Sequence, residues 1–233
     1  MKPAKLWEVA EAKESRVIVA VDAPTPDLRG LIRLVKDYAA GVKVGLPALL
    51  RWGPEALKSL CEEYGEELYL LCDFKLADIP YIVAEELKAI REIGFDGAIL
   101  HLFQGGVEEV AALEDRPDLY GVVAMSHPQA ELLNSHFREL LTEAIRAGLE
   151  GCVVPATREA VVREVRRIAP GLTLLAPGVG AQGANPGAAV SAGADFEIVG
   201  RAITRSPDPR LACRRVRDSI NAALRALKRS GGR

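Results

Sequence analysis

The feature that most constrains the fold is a repeated alternation of short apolar runs with segments of helical periodicity. About eight such strand–helix units follow one another along the 233 residues, with short connections and no linker between them. The predicted strands are apolar throughout, as in a parallel sheet covered on both faces. The pattern predicts an α/β fold in which residues 1–233 form a single (β/α)8 TIM barrel, one catalytic domain with a short N-terminal helix. An open doubly wound sheet is the structural alternative.

The boundaries of these units follow from the apolar periodicity and from the glycine positions. A charged helix is expected over residues 4–14, and Gly94 is placed where a helix ends. The predicted strands span residues 16–22, 41–45, 68–72, 97–101, 119–125, 151–155, 172–176 and 196–199. The predicted helices between and after them span residues 28–39, 48–64, 81–93, 106–113, 139–147, 158–168, 184–192 and 209–228.

Charged side chains stand where several of these strands end. Asp22 and Lys43 end the first two strands, and Asp73, Lys75 and Asp78 follow the third within a few residues. Because side chains alternate along a strand, Asp73 and Lys75 are expected to share one side. Taken alone, this pair is most simply a structural ion pair, and Asp78 a helix cap. The whole set at the carboxyl end of a barrel, where active sites lie, instead favours chemistry.

The end of the chain carries a pattern typical of phosphate binding. A glycine-rich run over residues 177–187 follows the seventh strand, and Gly200-Arg201 follows the eighth. Barrels of this type often bind phosphate between these two loops, where backbone N–H groups approach the anion and an arginine grips two oxygens. A flexible loop with a surface arginine is the simpler interpretation. The pairing of both loops favours phosphate binding, and Gln182 is expected to fold over the ligand as part of a lid.

Composition excludes several classes of protein. The net charge is −2, with 30 basic and 32 acidic residues, so no basic excess indicates nucleic acid or an anionic membrane as a partner. We find no apolar run of membrane-spanning length and no signal-peptide core, and we therefore expect a cytoplasmic protein. The histidines have no ligand spacing, so no metal is required; His127 and His136 could be acid-base residues, but they are expected to lie at the surface or behind the residues that contact the substrate. The cysteines are far apart and are expected to be small buried hydrophobic residues: Cys61, Cys72, Cys152 and Cys213.

These motifs, taken together, carry a resemblance that covers nearly the whole chain. The chain resembles the orotidine 5′-monophosphate decarboxylase family, in its short archaeal-type form. The most specific segment is Asp73-Phe74-Lys75-Leu76-Ala77-Asp78-Ile79-Pro80, whereas the glycine loop and the Gly-Arg ending are shared with other phosphate-binding barrels. The other matching segments are Val19–Asp22, Val42–Gly45, Met125–Pro128, Pro177–Gly183 and Val199–Ile203.

The resemblance implies the conversion of orotidine 5′-monophosphate to uridine 5′-monophosphate in pyrimidine biosynthesis, without a cofactor or metal. It implies that Lys75 donates a proton to C6 of the pyrimidine as carbon dioxide leaves. Asp73 would lie against the substrate carboxylate. Asp22 and Lys43 would bind ribose hydroxyls and hold the row of alternating charges.

The resemblance also implies a homodimer, because Asp78 with Ile79 would enter the neighbouring subunit's site. Ile82 stands where relatives often carry a threonine, so a hydroxyl contact across the dimer would be missing. Ser126 would contact the pyrimidine amide edge. The remaining residues assigned to the substrate, chiefly around its phosphate, are Pro177, Gly178, Gly180, Gln182, Gly200 and Arg201.

Two other functions remain open from the sequence. The 3-keto-L-gulonate 6-phosphate decarboxylases and hexulose 6-phosphate synthases share the Asp-x-Lys-x-x-Asp motif, but they use a glutamate as a magnesium ligand at the second strand. This chain has Lys43 there, and a cation would repel the metal. A catalytically silent phosphate-binding barrel is the second alternative, but it would not need Asp22, Lys43, Asp73 and Lys75 together.

Overall fold

The predicted barrel is confirmed by the architecture of the chain. The computed structural model describes residues 3–22 and 27–230. Eight parallel strands pair in sequence order and close between the last and the first, as β1-β2-β3-β4-β5-β6-β7-β8. The strands are β1 (Val17–Val21), β2 (Gly41–Gly45), β3 (Tyr69–Leu76), β4 (Gly97–Leu100), β5 (Asp118–Val122), β6 (Gly151–Val153), β7 (Thr173–Pro177) and β8 (Phe196–Val199).

Helices follow the strands around the outside of the barrel. The predicted helices over 106–113 and 184–192 are shorter than expected because Gly106 and Gly187 have positive φ angles of 67° and 91°, so each helix begins after its glycine. The helices are α1 (Ala4–Ala12), α2 (Leu28–Val35), α3 (Leu46–Tyr64), α4 (Pro80–Ile93), α5 (Val107–Ala111), α6 (Glu131–Ser135), α7 (Phe137–Arg146), α8 (Glu159–Ile168), α9 (Ala188–Ser191), α10 (Arg201–Thr204) and α11 (Pro209–Ser230).

Two apolar layers hold the barrel together. The larger layer lies between the strands and the surrounding helices, and the smaller one fills the barrel interior. Leu6 and Ala10 of α1 belong to the interior layer, so this helix closes the amino end of the barrel. The carboxyl end is left open, and the charged strand ends lie there.

The prediction that Gly94 ends a helix is confirmed. It follows α4 in the left-handed conformation with φ 103°. All the cysteines are buried and free, as expected. Within the described residues, no helix has both the length and the apolar composition needed to cross a membrane.

Candidate active site

The charged residues at the strand ends form a continuous row. The Lys43 ammonium lies between two carboxylates, forming an ion pair with Asp22 and one of 2.8 Å with Asp73. Asp73 in turn binds the Lys75 ammonium at 2.6 Å. The order along the row is therefore acid, lysine, acid, lysine. These four side chains come from three neighbouring strand ends, and the fold brings them together as the sequence predicted.

Burial is uneven along this row. The side chains of Lys43 and Asp73 are only 5% and 9% exposed, whereas Lys75 is 36% exposed. Burial disfavours the charge on Lys43, but the carboxylates of Asp73 and Asp22 outweigh it and raise the pKa of Lys43. Burial likewise disfavours the charge on Asp73, yet Lys43 and Lys75 lower the pKa of Asp73 overall. The buried centre of the row is thus an ionised pair at neutral pH, and the lysine at its end reaches the open cavity.

Lys75 reaches this position through a distortion of β3. The pairing of β3 with β4 shifts register between Cys72 and Leu76, and Lys75 has a φ angle of 52°. A positive φ is uncommon for a residue with a side chain, and bulges of this kind re-aim side chains near active sites. The N–H of His101 donates to the Leu76 carbonyl at 2.8 Å, which rejoins the ladder beyond the bulge. The regular alternation expected here is therefore interrupted, although the predicted pairing of Asp73 with Lys75 is present.

A cavity of about 380 Å³ opens at this end of the barrel. Its volume falls in the range of small-molecule sites. It is lined by most of the predicted site residues: Asp22, Lys43, Asp73, Lys75, Ser126, Pro177, Gly178, Gln182, Gly200 and Arg201. It is also lined by residues that had no predicted role in the site, including Ala20, Ile99, Val122, Met125, His127 and Thr204.

The glycine-rich loop folds back on itself beside this cavity. Its Gly180 N–H donates to the Ala184 carbonyl at 2.8 Å. A Cβ added at Gly180 would lie 2.7 Å from the Ala202 Cβ, so the loop packs closely against α10. A Cβ added at Gly178 would lie 3.1 Å from Gln182 Oε1, so Gln182 turns inward over the loop. Gly180 does not line the cavity, and a phosphate contact from its N–H would require this internal bond to open.

Besides Gly180, three other predicted residues lie outside the cavity. The Asp78 carboxylate accepts a hydrogen bond from the N–H of Ile79 at 2.7 Å and is exposed. It does not bond to the first turn of α4, so a helix-capping role does not account for it. Ile79 and Ile82 are 62% and 37% exposed. None of the three lines the cavity that holds the charged row.

Sequence reasoning missed one charged residue near this site, Glu197. It is fully buried in β8, and its carboxylate binds the segment that ends the glycine-rich loop. The available signal was a lone acid inside the apolar run Phe196–Val199.

The comparisons with known proteins decide the family. The family model described as Orotidine 5'-phosphate decarboxylase / HUMPS family matches residues 15–216. The chain belongs to this family. The orotidine 5'-phosphate decarboxylase of Aeropyrum pernix is 44% identical over 224 residues, which cover 89% of each protein. The predicted family and the predicted enzyme class, a carboxy-lyase, are therefore confirmed.

Solved structures agree with this assignment to the decarboxylase family. The crystal structure of orotidine 5'-monophosphate decarboxylase from Sulfolobus solfataricus has a TM-score of 0.80 at 30% identity, covering 90% of this chain and 99% of that chain. The Methanocaldococcus jannaschii orotidine 5'-monophosphate decarboxylase, complexed with the inhibitor BMP, has a TM-score of 0.80 at 31% identity. The match covers 89% of this chain and 99% of the latter.

Proposed function

We propose that the protein decarboxylates orotidine 5′-monophosphate to uridine 5′-monophosphate, without a cofactor and with Lys75 as the proton donor. The observation that carries the proposal is the charged row with its ionised, buried centre and its exposed end at Lys75. Relatives named as orotidine 5'-phosphate decarboxylases, one of them 44% identical to this chain, support orotidine 5′-monophosphate as the substrate.

Lys75 supplies the chemistry in this proposal. The bond between C6 and the carboxylate breaks, carbon dioxide leaves, and the electron pair stays on C6. The Lys75 ammonium stabilises the developing negative charge and then transfers its proton to C6, leaving a neutral amine. Asp73, bonded to Lys75 at 2.6 Å, holds the ammonium in place.

Asp73 has a second role in the proposal. Its pKa is lowered by two lysines, so it is charged when the substrate carboxylate arrives beside it. The repulsion between the two carboxylates disappears as carbon dioxide leaves, which lowers the barrier relative to the bound substrate. Lys43 holds Asp73 and Asp22 from the other side, and Asp22 and Lys43 bind the ribose hydroxyls.

The phosphate of the substrate binds at the far end of the cavity. Arg201 and Gln182 both line it, and Gly200 brings backbone into the same wall. A guanidinium binds phosphate through two parallel hydrogen bonds. Binding energy from this remote group closes the loop over the substrate and so contributes to turnover as well as affinity. Ser126, also in the wall, binds the pyrimidine amide edge.

The active form in this proposal is a homodimer. Ile79 is 62% exposed, Tyr81 71% and Phe103 64%, so these large apolar side chains are open to solvent. A second copy covering them would bring its Asp78 and Ile79 towards the cavity.

The position of Lys43 argues against the magnesium-dependent sugar-phosphate reactions of related barrels. Its ammonium occupies the space between Asp22 and Asp73 and binds both carboxylates, which are the oxygen ligands that magnesium would need.

A direct assay tests the proposed reaction. Purified protein is mixed with orotidine 5′-monophosphate in the presence of a chelator, and the pyrimidine ultraviolet band is followed with time. We expect steady loss of the substrate band at a rate that the chelator does not change. No turnover here, together with turnover of 3-keto-L-gulonate 6-phosphate or a hexulose 6-phosphate on addition of magnesium, would overturn the proposal.

A further inference from the structure

Glu197 occupies an unfavourable place for a carboxylate. Its exposed fraction is 0%, and its neighbours in the strand, Phe196 and Ile198, are 0% and 3% exposed. Phe196 and Ile198 belong to the barrel interior, so Glu197 points the other way, into the apolar layer between the strands and the helices. A carboxylate in such a layer is costly unless hydrogen bonds compensate for lost water.

Those hydrogen bonds come from one segment of backbone. The Gly187 N–H donates to both carboxylate oxygens at 3.0 Å, and the N–H groups of Ala189 and Val190 donate at 3.1 and 3.3 Å. Burial raises the pKa of Glu197, and these backbone bonds act in the opposite direction. An apolar residue at this position would leave several backbone N–H groups without an acceptor.

The segment that Glu197 holds is the end of the glycine-rich run. We call residues 177–187 the phosphate loop. Glu197 pairs with Ala176 in the β7–β8 ladder, immediately before the loop begins, and its carboxylate binds Gly187, where the loop ends. Glu197 is also three residues before Gly200, in the other loop of the proposed phosphate site. One side chain therefore fixes the end of the phosphate loop relative to both strands that support the site.

We propose that Glu197 is a positioning residue for phosphate binding: it holds the phosphate loop in register with Gly200-Arg201 before the nucleotide arrives. The inference rests on the proposed function, because it concerns the same phosphate site. A loop that is already ordered loses less conformational entropy when the ligand binds, so affinity is higher. Glu197 does not line the cavity and acts through the backbone that it holds.

Glu197→Gln tests this role with almost no change in shape. The amide keeps one oxygen, but it loses the charge and turns an N–H group towards the backbone donors. We expect the KM for orotidine 5′-monophosphate and the Kd for uridine 5′-monophosphate to rise about tenfold. We expect kcat to change by less than about threefold and the affinity for uridine, which lacks the phosphate, to stay the same. Glu197→Asp, which keeps the charge with a shorter reach, should fall between Glu197→Gln and wild type.

Glu150→Gln is the matched control. The Glu150 carboxylate is 12% exposed and also accepts a backbone hydrogen bond, from the N–H of Leu119 at 2.8 Å, but it lies at the amino end of the barrel. The same chemical change there should lower the melting temperature and leave the Kd for uridine 5′-monophosphate unchanged. This control separates general destabilisation from loss of the phosphate site.

The outcomes distinguish this inference from the proposed function. Wild-type protein that binds uridine 5′-monophosphate no better than uridine would overturn the phosphate site itself. If wild type binds uridine 5′-monophosphate more tightly than uridine and Glu197→Gln keeps this preference in full, the role of Glu197 is overturned and the phosphate site stands. If both Glu197 variants fail to fold, amide exchange on ligand-free wild type decides. Slow exchange at Gly187, Ala189 and Val190 is expected, and fast exchange would show that the loop is not held in advance.

Discussion

The two ends of the barrel both contain poorly exposed ion pairs, but their carboxylates have different partners. At the amino end, three acids share one arrangement: each binds a cation from another part of the chain and also accepts the N–H of a neighbouring strand. They are Asp96 with Lys5 and the Leu70 N–H, Glu150 with Arg116 and the Leu119 N–H, and Asp195 with Arg166 and the Leu174 N–H.

At the carboxyl end, the corresponding carboxylate faces a cavity. Asp73 binds Lys43 and Lys75, and all three line that cavity. The amino-end acids bind strand backbone, whereas Asp73 binds a lysine that lines the open cavity. The comparison teaches that a poorly exposed charge does not by itself mark an active site. The feature that separates the two ends is whether the ion pair also binds strand backbone, as at the amino end, or lines a cavity, as Asp73 does with Lys43 and Lys75.

The largest expected effect is on turnover, at the carboxyl end of the barrel. It is measured by co-expressing two inactive variants. We expect Lys75→Ala and Asp78→Ala each to lose at least about 10³-fold in turnover. Co-expressed with different tags, they should form mixed dimers with one intact site, because Asp78 serves the neighbouring chain in the proposed homodimer. Activity should return to roughly a quarter of the wild-type level for random pairing of a symmetric dimer.

The control for this experiment is co-expression of Lys75→Ala with Asp73→Ala. Both residues serve their own chain, so no mixed dimer has an intact site and activity should stay absent. Activity in the control mixture would contradict the claim that each site takes its Asp78 from the other chain. A lack of activity in the mixture of Lys75→Ala with Asp78→Ala would contradict it as well.

The next largest effect is on stability, at the amino end. The Arg116 guanidinium is 14% exposed and binds both oxygens of Glu150, which is 12% exposed. Arg116→Ala leaves that carboxylate poorly solvated and without its cation, so we expect a loss of about 3 kcal/mol in the free energy of unfolding. Denaturant unfolding measures this loss. The kcat at 25 °C should be unchanged. A large fall in kcat in protein that is still folded would show that the amino end of the barrel also contributes to catalysis.

A smaller effect depends on pH, also at the amino end. Burial raises the pKa of Asp118 to about 6, although Tyr69 O–H donates to it at 2.8 Å. The folded state therefore holds this proton more tightly than the unfolded state. The resulting stabilisation is complete below about pH 4 and is lost as the pH rises through about 6.

Asp118→Asn cannot ionise and removes this dependence. The free energy of unfolding of wild type, relative to this variant, should fall by about 1 kcal/mol between pH 4.5 and pH 7.5, since solvent screens a partly exposed carboxylate. Urea unfolding at both pH values measures the difference. If the free energy of unfolding changes equally with pH in wild type and in Asp118→Asn, the pKa of Asp118 is not raised in the folded state.

The smallest expected effect concerns Ile82. In the proposed homodimer, a hydroxyl at this position would add one hydrogen bond to the partner's ligand, so Ile82→Thr should lower the KM about threefold and leave kcat unchanged. Ile82→Val, which is similar in size to threonine and lacks the hydroxyl, is the control and should keep the wild-type KM. Equal KM values for Ile82→Thr and Ile82→Val would show that the residue at position 82 does not contact the ligand.

Much of this molecule could be predicted from the sequence because its signals are local. Apolar strands with short connections predicted the barrel, and charges at strand ends predicted which side chains meet in the cavity. The short helix α6 was not predicted because none of its residues is buried, so it has no apolar periodicity.

Other features depend on contacts that a sequence does not display. The positive φ of Lys75 results from the register shift between β3 and β4, which only the pairing of the two strands reveals. The role of Glu197 depends on its bonds to Gly187, ten residues away along the chain. The sequence indicated an unusual acid in an apolar strand, but not the backbone it would hold.

The measurement that tests the central claim most directly is the turnover of Lys75→Ala alongside its nucleotide affinity. Turnover of orotidine 5′-monophosphate should fall at least about 10³-fold, while the Kd for uridine 5′-monophosphate stays within about tenfold of wild type. Lys88→Ala, at an exposed position of α4, is the control and should behave as wild type. Turnover within tenfold of wild type in Lys75→Ala would contradict the claim that this lysine supplies the proton.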